Sequence, residues 1–403
     1  MVEHNIIYLP TDPPVARFVR LNVTSVSNLE SQSQAFEIVI PSSPTDDSDP
    51  GEVVIQATLE RTVSPNRLHL PLNVPNGDAQ SLSAVGEAVW VALTWYFQRA
   101  GYQQPLTPKG NPCPESCVEL VFKSDSPAAC AQFATHLEEL GLVEFEIQLE
   151  ENNVFRPLVF ASTFWQIQPE IFLPKLGAHR YLPPKPLRYT LSNGVIRHPK
   201  RPLPPTVKSP FYTRHCVSEK INSVFKLRPV DMSDLDLIHK WMNNLRVAEF
   251  WGEQGPIEHQ KKFLEKCLSS QHSFAAIGSW NDLDEEENLT LWRDACFFDI
   301  YWVKEDHLAR YVNDIKDWDR GVHLLVGEDW ARGRSTAWLD SIVHYVFLAD
   351  PRTQSLYLEP RVDNDLLIRL LLRYGFYKVK DFSFPHKQAA LMKLDRECWR
   401  GCH

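Results

Sequence analysis

Long apolar runs are missing from this chain of 403 residues. No stretch approaches the ~20 consecutive apolar residues that cross a bilayer as a helix, so we expect no contact with a membrane. Basic blocks are missing too, because 42 Lys and Arg face 51 Asp and Glu and leave a net charge of −9. An acidic chain without a patch rich in Lys and Arg is not expected to bind nucleic acid.

Cysteine is scarce, with 8 residues in the chain, which excludes a disulfide scaffold. The first residues lack the basic start and apolar core of a signal peptide, and the last ones do not form a Ser-Lys-Leu address. We therefore expect an intracellular, cytoplasmic protein without a secretory or peroxisomal signal. Cys113 and Cys117 could begin a zinc site, but no second Cys/His pair follows at a suitable distance, and no metal is predicted.

The remaining composition, 43% hydrophobic and 23% charged, is typical of a folded protein. At ~100–200 residues per domain, the length predicts two or three domains. Strand and helix patterns alternate in both halves, which predicts an α/β (α+β) protein of two mixed units.

Prolines predict the boundary between these units. They crowd into residues 173–220, where a fixed φ and a missing N–H oppose helices and central strands. We interpret this segment as a stiff linker; an arm laid across the second unit or a partner subunit is the alternative, because tyrosines and arginines interleave there. It separates residues 1–172, which show no catalytic constellation, from residues 221–403.

One segment of the second unit combines a strand, a loop and a helix. Residues 322–326 form a short apolar run ended by Gly327, which is typical of a buried strand. Apolar residues then return at helical spacing over about 334–348. Small and basic residues stand where this helix begins, and unpaired N–H groups at a helix start can bind pyrophosphate. The candidate residues for such contacts are Arg332, Gly333, Arg334, Ser335 and Ala337.

This pattern resembles the pyrophosphate loop, Arg/Gln-x-x-Gly-x-Gly/Ala, of the GNAT acyltransferases. Ser335 stands at the position of the family's first glycine. The segments that follow keep the family's order: Glu359-Pro360, Asn364, an apolar helix over 366–374, and Gly375-Phe376. The resemblance implies a GNAT fold around a splayed sheet for the second unit, and a degenerate GNAT-like fold for the first.

A narrower resemblance covers roughly residues 198–400. It is to the siderophore-biosynthesis branch of the family, which acylates hydroxylated ornithine or lysine. The segments that carry it are Arg228-Pro229, His239-x-Trp241-Met242-Asn243, Arg246-Val247-x-x-Phe250-Trp251, Asp299-x-Tyr301-Trp302, Gly321-x-His323 and Pro385-His386-Lys387.

The resemblance implies an enzyme that moves an acyl group from acyl-CoA to the hydroxylamine nitrogen of N5-hydroxyornithine, forming a hydroxamate that binds iron. It implies acyl-CoA as co-substrate and no metal, and a homodimer is one expectation. A non-catalytic GNAT-like scaffold that binds a siderophore-assembly partner is the alternative, favoured by the altered loop at Ser335. The acyl group, and ornithine against lysine, are not determined by the sequence.

His323 is the candidate catalytic base, because a neutral imidazole is suited to take the proton that the attacking nitrogen loses. Asp363 and Glu359, beyond the next strand, could orient His323 or take the proton themselves. No Ser-His-Asp or Cys-His pattern favours a covalent route.

Other polar and aromatic residues are candidates for binding. Asp299 and Tyr301 alternate with apolar neighbours on one strand, and a carboxylate there needs a partner such as the ammonium of an amino acid. Trp251 lies in a segment that could line a pocket or fill a core. Lys387, beside His386, could meet a substrate carboxylate or a cofactor phosphate. Asn364 could contact the cofactor or cap the helix that it precedes.

Overall fold

The computed structural model describes residues 2–9, 17–28, 31–41, 52–60, 66–71, 79–100, 117–124, 127–148, 154–167, 188–192, 194–205, 210–218, 220–284 and 289–402. The chain folds as two compact units, residues 1–181 with 400–403, and residues 182–399. Cys113 lies outside the described residues, and so the Cys113/Cys117 pair is not tested.

The first unit is an eight-stranded sheet with helices between its later strands. The strands are β1 (Val2–Leu9), β2 (Arg17–Asn28), β3 (Ser31–Pro41), β4 (Glu52–Glu60), β5 (Asn66–Pro71), β6 (Cys117–Lys123), β7 (Glu144–Gln148) and β8 (Val154–Phe160). The helices are α1 (Ala79–Trp95), extended by a π-helical turn (Tyr96–Ala100), α2 (Pro127–Glu139) and α3 (Ala161–Gln166).

The second unit holds a hairpin and another eight-stranded sheet. The hairpin strands are β9 (Tyr189–Ser192) and β10 (Ile196–Pro199). The sheet strands are β11 (Tyr212–Ser218), β12 (Ile221–Pro229), β13 (Ser273–Asp282), β14 (Arg293–Trp302), β15 (Arg320–Val326), β16 (Ser355–Leu358), β17 (Tyr377–Ser383) and β18 (Gln388–Asp395). The helices are α4 (Leu235–Met242), α5 (Leu245–Trp251), α6 (Ile257–Ser269), α7 (Ser335–Ala349) and α8 (Asp365–Tyr374).

The two sheets share one topology. Their strand orders are β1-β2-β3-β4-β5-β6-β8-β7 and β11-β12-β13-β14-β15-β16-β18-β17. In each described sheet the fifth and sixth strands are parallel, and a long helix, α1 or α7, connects them. The other neighbouring strands are antiparallel. The first unit therefore has the strand order of the second, as a degenerate copy of the same fold would.

The predicted strand at 322–326 and helix at about 334–348 are confirmed as β15 and α7, within two residues at each end. The predicted linker differs from the structure. Residues 173–220 contain the β9–β10 hairpin and the edge strand β11, which pairs with β12 from Tyr212 onward. The described prolines of this segment lie in connections or at a strand end, where no ladder N–H is required; they are Pro199, Pro202, Pro204, Pro205 and Pro210.

The starts of α4 and α5 are both fixed by side-chain caps. Before α4, Asp231 and Asp234 form a capping box and exchange hydrogen bonds with each other's backbone. Residues 245–251, which include Trp251, form α5. Asn244 caps its first turn, and Gly252 ends it in the left-handed region at φ 68°.

Within the described ranges, none of the helices combines the length and hydrophobicity that crossing a bilayer requires.

A close backbone approach in the second sheet depends on Gly321. Gly321 on β15 lies opposite Tyr301 on β14, and the ring of Tyr301 occupies the space above it. A Cβ at position 321 would lie 2.1 Å from Cζ of Tyr301, well inside van der Waals contact. Tyr301 is 1% exposed, and side chains in a close-packed core move little.

Replacement of Gly321 with Ala should therefore destabilise the protein by about 1–3 kcal/mol, the usual cost of overpacking a core. Urea denaturation followed by circular dichroism would measure it. Gly333→Ala is the matched control, because a Cβ there meets nothing within 4 Å. Equal stability of the two variants would show that Tyr301 does not hold this position.

Candidate active site

The strands β15 and β16 part near the centre of the second sheet. In the described structure they pair at two positions, Arg320 with Leu356 and Gly321 with Tyr357. Beyond them β15 continues along β14, whereas β16 ends at Leu358. The backbone of β15 that faces the resulting gap must find partners other than β16. This splay confirms the sheet shape that the sequence resemblance implied.

His323 stands on β15 at the start of this gap, between two carboxylates. Its Nε2 lies 2.6 Å from Oε1 of Glu359, and its Nδ1 lies 3.4 Å from Oδ2 of Asp299. Asp299 is the residue of β14 directly opposite His323, so the sheet register fixes this pair. The exposed fractions of the side chains are 35% for His323, 20% for Asp299 and 3% for Glu359.

These two carboxylates determine the charge of His323. Burial alone would lower the pKa of His323, but the negative charge of Glu359 and the hydrogen bonds with both carboxylates outweigh it and raise the pKa to about 10. The ring is therefore an imidazolium at neutral pH, with both nitrogens donating. This differs from the neutral imidazole expected from the sequence, which did not reveal that two carboxylates flank the ring.

Glu359 is a buried anion held from several sides. Burial raises the pKa of Glu359, and the charge and hydrogen bond of His323 outweigh this effect, so the pKa lies below its usual value. The hydroxyl of Tyr301 donates to its Oε2 at 3.0 Å, and the Tyr301 ring packs 4.6 Å from that of His323. Lys387 donates to the backbone carbonyl of Glu359 at 2.9 Å. The structure thus brings together five predicted site residues: Asp299, Tyr301, His323, Glu359 and Lys387.

Asp363 and His386 are not brought to this cluster. Asp363 is exposed and forms an ion pair with Arg361, whose hydrogen bond holds the pKa of Asp363 below its usual value. His386 is exposed and stacks on Phe384 at 5.4 Å. Among the described residues, Asp363 makes its ion pair with Arg361 and no hydrogen bond with His323 or Glu359, although it is close to Glu359 in sequence.

The helix α5 contacts β15 and the residues that follow β16. From it, Trp251 donates its indole Nε1 hydrogen to the carbonyl of Leu324 on β15, at 3.2 Å, and packs against Phe297 at 5.8 Å. At the other side, Arg361 donates to the carbonyl of Glu249 and lies 5.2 Å from the ring centre of Phe250. Trp251 therefore fits both interpretations. It packs against Phe297, and it is half-buried beside the gap. Arg361 was not among the candidates from the sequence. Its position two residues before Asp363 could have suggested that the two side chains form an ion pair.

The segment before α7 contains the predicted pyrophosphate contacts. Arg332 and Gly333 are exposed, and no side chain caps the first turn of α7. Arg334 is already occupied: it pairs with Asp282 at 2.6 Å and donates to Ser223 at 2.8 Å. It therefore anchors the start of α7 to the sheet.

Two further predicted cofactor contacts have internal partners. The carbonyl of Ala337 accepts hydrogen bonds from Arg214 and Ser341. The side chain of Asn364 caps α8 by accepting from the N–H of Leu367 at 3.3 Å. The capping interpretation of Asn364 is confirmed, and its contact with a cofactor stays a prediction.

Comparison with known proteins identifies the family. A model described as "Acetyltransferase (GNAT) domain" matches residues 231–384, which include β13 to β17 and the whole gap. A protein of Schizosaccharomyces pombe, provisionally named as a lysine N-acyltransferase, is 37% identical over 287 residues, covering 70% of this chain and 78% of that protein. The chain belongs to the GNAT acyltransferase family.

Two other GNAT relatives have more specific names. The N5-hydroxyornithine acetylase sidL of Beauveria bassiana is 36% identical over 52% of this chain and 41% of its own length. The N(6)-hydroxylysine O-acetyltransferase of Escherichia coli is 37% identical over 50% of this chain and 60% of its own length. This chain therefore spans about half the length of these two relatives.

The exposed start of α7 fits the acyl-CoA that a GNAT acyltransferase uses. Its N–H groups are not capped by a side chain, and the helix dipole favours an anion there. At Gly333 nothing lies within 4 Å of the Cβ position, so a ligand can approach the backbone. Among the described residues, no group of His, Cys, Asp and Glu is arranged to hold a metal ion.

The charge of His323 can be measured directly. Because its folded pKa is raised above the ordinary value of about 6.5, its charge stabilises the fold fully below that pH, and this contribution is lost as the pH rises through about 10. An NMR titration of labelled imidazoles should show one ring titrating far above the others. Glu359→Gln should lower its pKa, because the largest attractive charge is removed. A midpoint near 6.5 in the unmodified protein would contradict the ion pair.

Proposed function

We propose that the protein transfers an acyl group from acyl-CoA to the hydroxylamine nitrogen of N5-hydroxyornithine, giving a hydroxamate for siderophore biosynthesis. The names of relatives support this substrate class. They include a hydroxyornithine acetylase, a hydroxyornithine transacylase of Ajellomyces capsulatus at 32% identity, and a transacylase of Beauveria bassiana that uses cis-anhydromevalonyl coenzyme A, at 36% identity. Their donors differ, and so the acyl group stays open.

The cluster in the gap is the structural observation that carries the proposal. A hydroxylamine is weakly basic and largely neutral near pH 7, so the site needs no strong base to free its lone pair. It does need a group that removes one proton after attack on the thioester. The site offers carboxylates beside a fixed imidazolium, which suits removal of a proton from an already neutral nucleophile.

Acyl-CoA supplies the activated acyl group as a thioester. The backbone at the start of α7, with Gly333 and Arg332, would hold its pyrophosphate. On this proposal the acyl arm extends from there into the gap between β15 and β16, where His323 lies. Trp251, Asp299 and Lys387 border the acceptor side, where an amino-acid substrate would be held.

An enzyme accounts for the buried charges better than a scaffold does. Burying Glu359 and pairing it with His323 is costly, and a surface used for docking alone would gain nothing from that cost. The alternative of a non-catalytic scaffold has no comparable support among the described residues.

Purified protein should form hydroxamate from acyl-CoA and N5-hydroxyornithine, detected as a coloured ferric complex. A donor panel of acetyl-CoA and longer branched acyl-CoA compounds would identify the acyl group, and N6-hydroxylysine would test the acceptor length. Ornithine should react far more slowly, because its side-chain amine is protonated near pH 7. Equal rates with ornithine and hydroxyornithine would point to a general amine acyltransferase.

Arg332→Ala should weaken acyl-CoA binding by about 1–3 kcal/mol, the scale of a lost charge-assisted hydrogen bond, and leave the fold intact. Isothermal titration calorimetry would measure the affinity. Arg188→Ala is a matched control, since it removes an exposed arginine before β9. Unchanged affinity in Arg332→Ala would place the pyrophosphate elsewhere.

A further inference from the structure

The two nitrogens of His323 are both engaged, which removes it as the direct acceptor of a proton. Nε2 is bound to Glu359 and Nδ1 faces Asp299, at 2.6 and 3.4 Å. An imidazolium with both N–H groups has no lone pair on either nitrogen. A substrate nitrogen beside this ring must therefore give its proton to another group.

Glu359 is poorly placed for that role. Its side chain is 3% exposed, and its two carboxylate oxygens are taken by His323 and by the hydroxyl of Tyr301. Tyr301 is fully buried, and burial together with the charge of Glu359 raises its pKa well above the usual value, so it remains a donor. Glu359 and Tyr301 therefore hold the imidazolium in place from the buried side of the cluster.

Asp299 is the member of the cluster with unused acceptor capacity. Its Oδ2 makes a long contact with His323, and its Oδ1 is buried with no hydrogen-bond partner among the described residues. The side chain is 20% exposed, against 3% for Glu359. Because Oδ1 is closed to solvent, this exposed part belongs to the other atoms, and a substrate would approach Oδ2, whose contact with His323 is long. A carboxylate accepts about four hydrogen bonds, and Asp299 is far below that number.

We propose that Asp299 is the proton acceptor in the acyl transfer, and that His323 is a positioning residue that holds the Asp299 carboxylate through its imidazolium. This inference rests on the proposed function. The hydroxylamine nitrogen forms a bond to the thioester carbonyl carbon, and the proton on that nitrogen moves to Asp299. The C–S bond then breaks, CoA leaves as a thiolate that takes a proton from solvent, and Asp299 returns its proton to solvent.

Chemical rescue tests this assignment at a fixed pH. Asp299→Ala should lower kcat by about 10²–10⁴-fold, the usual loss of a general base, and leave acyl-CoA affinity unchanged. Formate should restore part of the activity, because it can supply a carboxylate in the space that Ala leaves. Asp299→Asn should be equally impaired but not rescued, since it fills that space. It also serves as the second variant should Asp299→Ala fail to fold.

His323→Ala is the comparison that separates the two roles. Formate should not restore the activity of His323→Ala. Rescue of His323→Ala by imidazole, with no effect of formate on Asp299→Ala, would overturn the proposal. Full activity of Asp299→Asn would overturn it too and leave the proposed function intact. Absence of hydroxamate formation by the unmodified protein would reject both the function and this inference.

Discussion

A carboxylate buried at the end of a short strand needs a permanent counter-charge, and the site is built around that requirement. Glu359 directly follows β16, beyond the last residue pair between β16 and β15, and its carboxylate is buried. The imidazolium of His323 neutralises it at 2.6 Å, and Tyr301 and Lys387 fix its position. Removing one partner would leave a buried charge unpaired, which is far more costly than the net stabilisation that the pair provides.

Much of the fold could be predicted because local signals agreed with the final structure. A short apolar run ended by Gly327 gave β15, and helical spacing gave α7. The chemistry near His323 was also visible, since Asp299 and Glu359 were both candidates. Their roles were not visible. Which carboxylate meets Nε2 depends on the parallel crossover from β15 to β16, a pairing that local spacing cannot set.

The misplaced residues have equally physical reasons. Asp363 was placed near the site because it follows β16 closely, but its neighbour Arg361 binds it on the outer surface. The sequence left Trp251 open between pocket and core, because its position depends on the helix α5, which Asn244 caps and Gly252 ends. Arg334 had the right charge for a phosphate, yet Asp282 on a distant strand neutralises it.

The two sheets differ in the length over which their parallel strands pair. β5 and β6 pair from Asn66 with Val118 to Pro71 with Lys123, six residue pairs, whereas β15 and β16 pair at two. In the first unit the two parallel strands stay paired, whereas in the second they separate. Paired strands leave no gap between them in which an extended cofactor could lie. If the first unit carries no reaction, as the sequence predicts, its strands are constrained by folding alone. Mutations along β5 and β6 should accumulate under selection for stability, while those along β15 and β16 remain limited by the reaction.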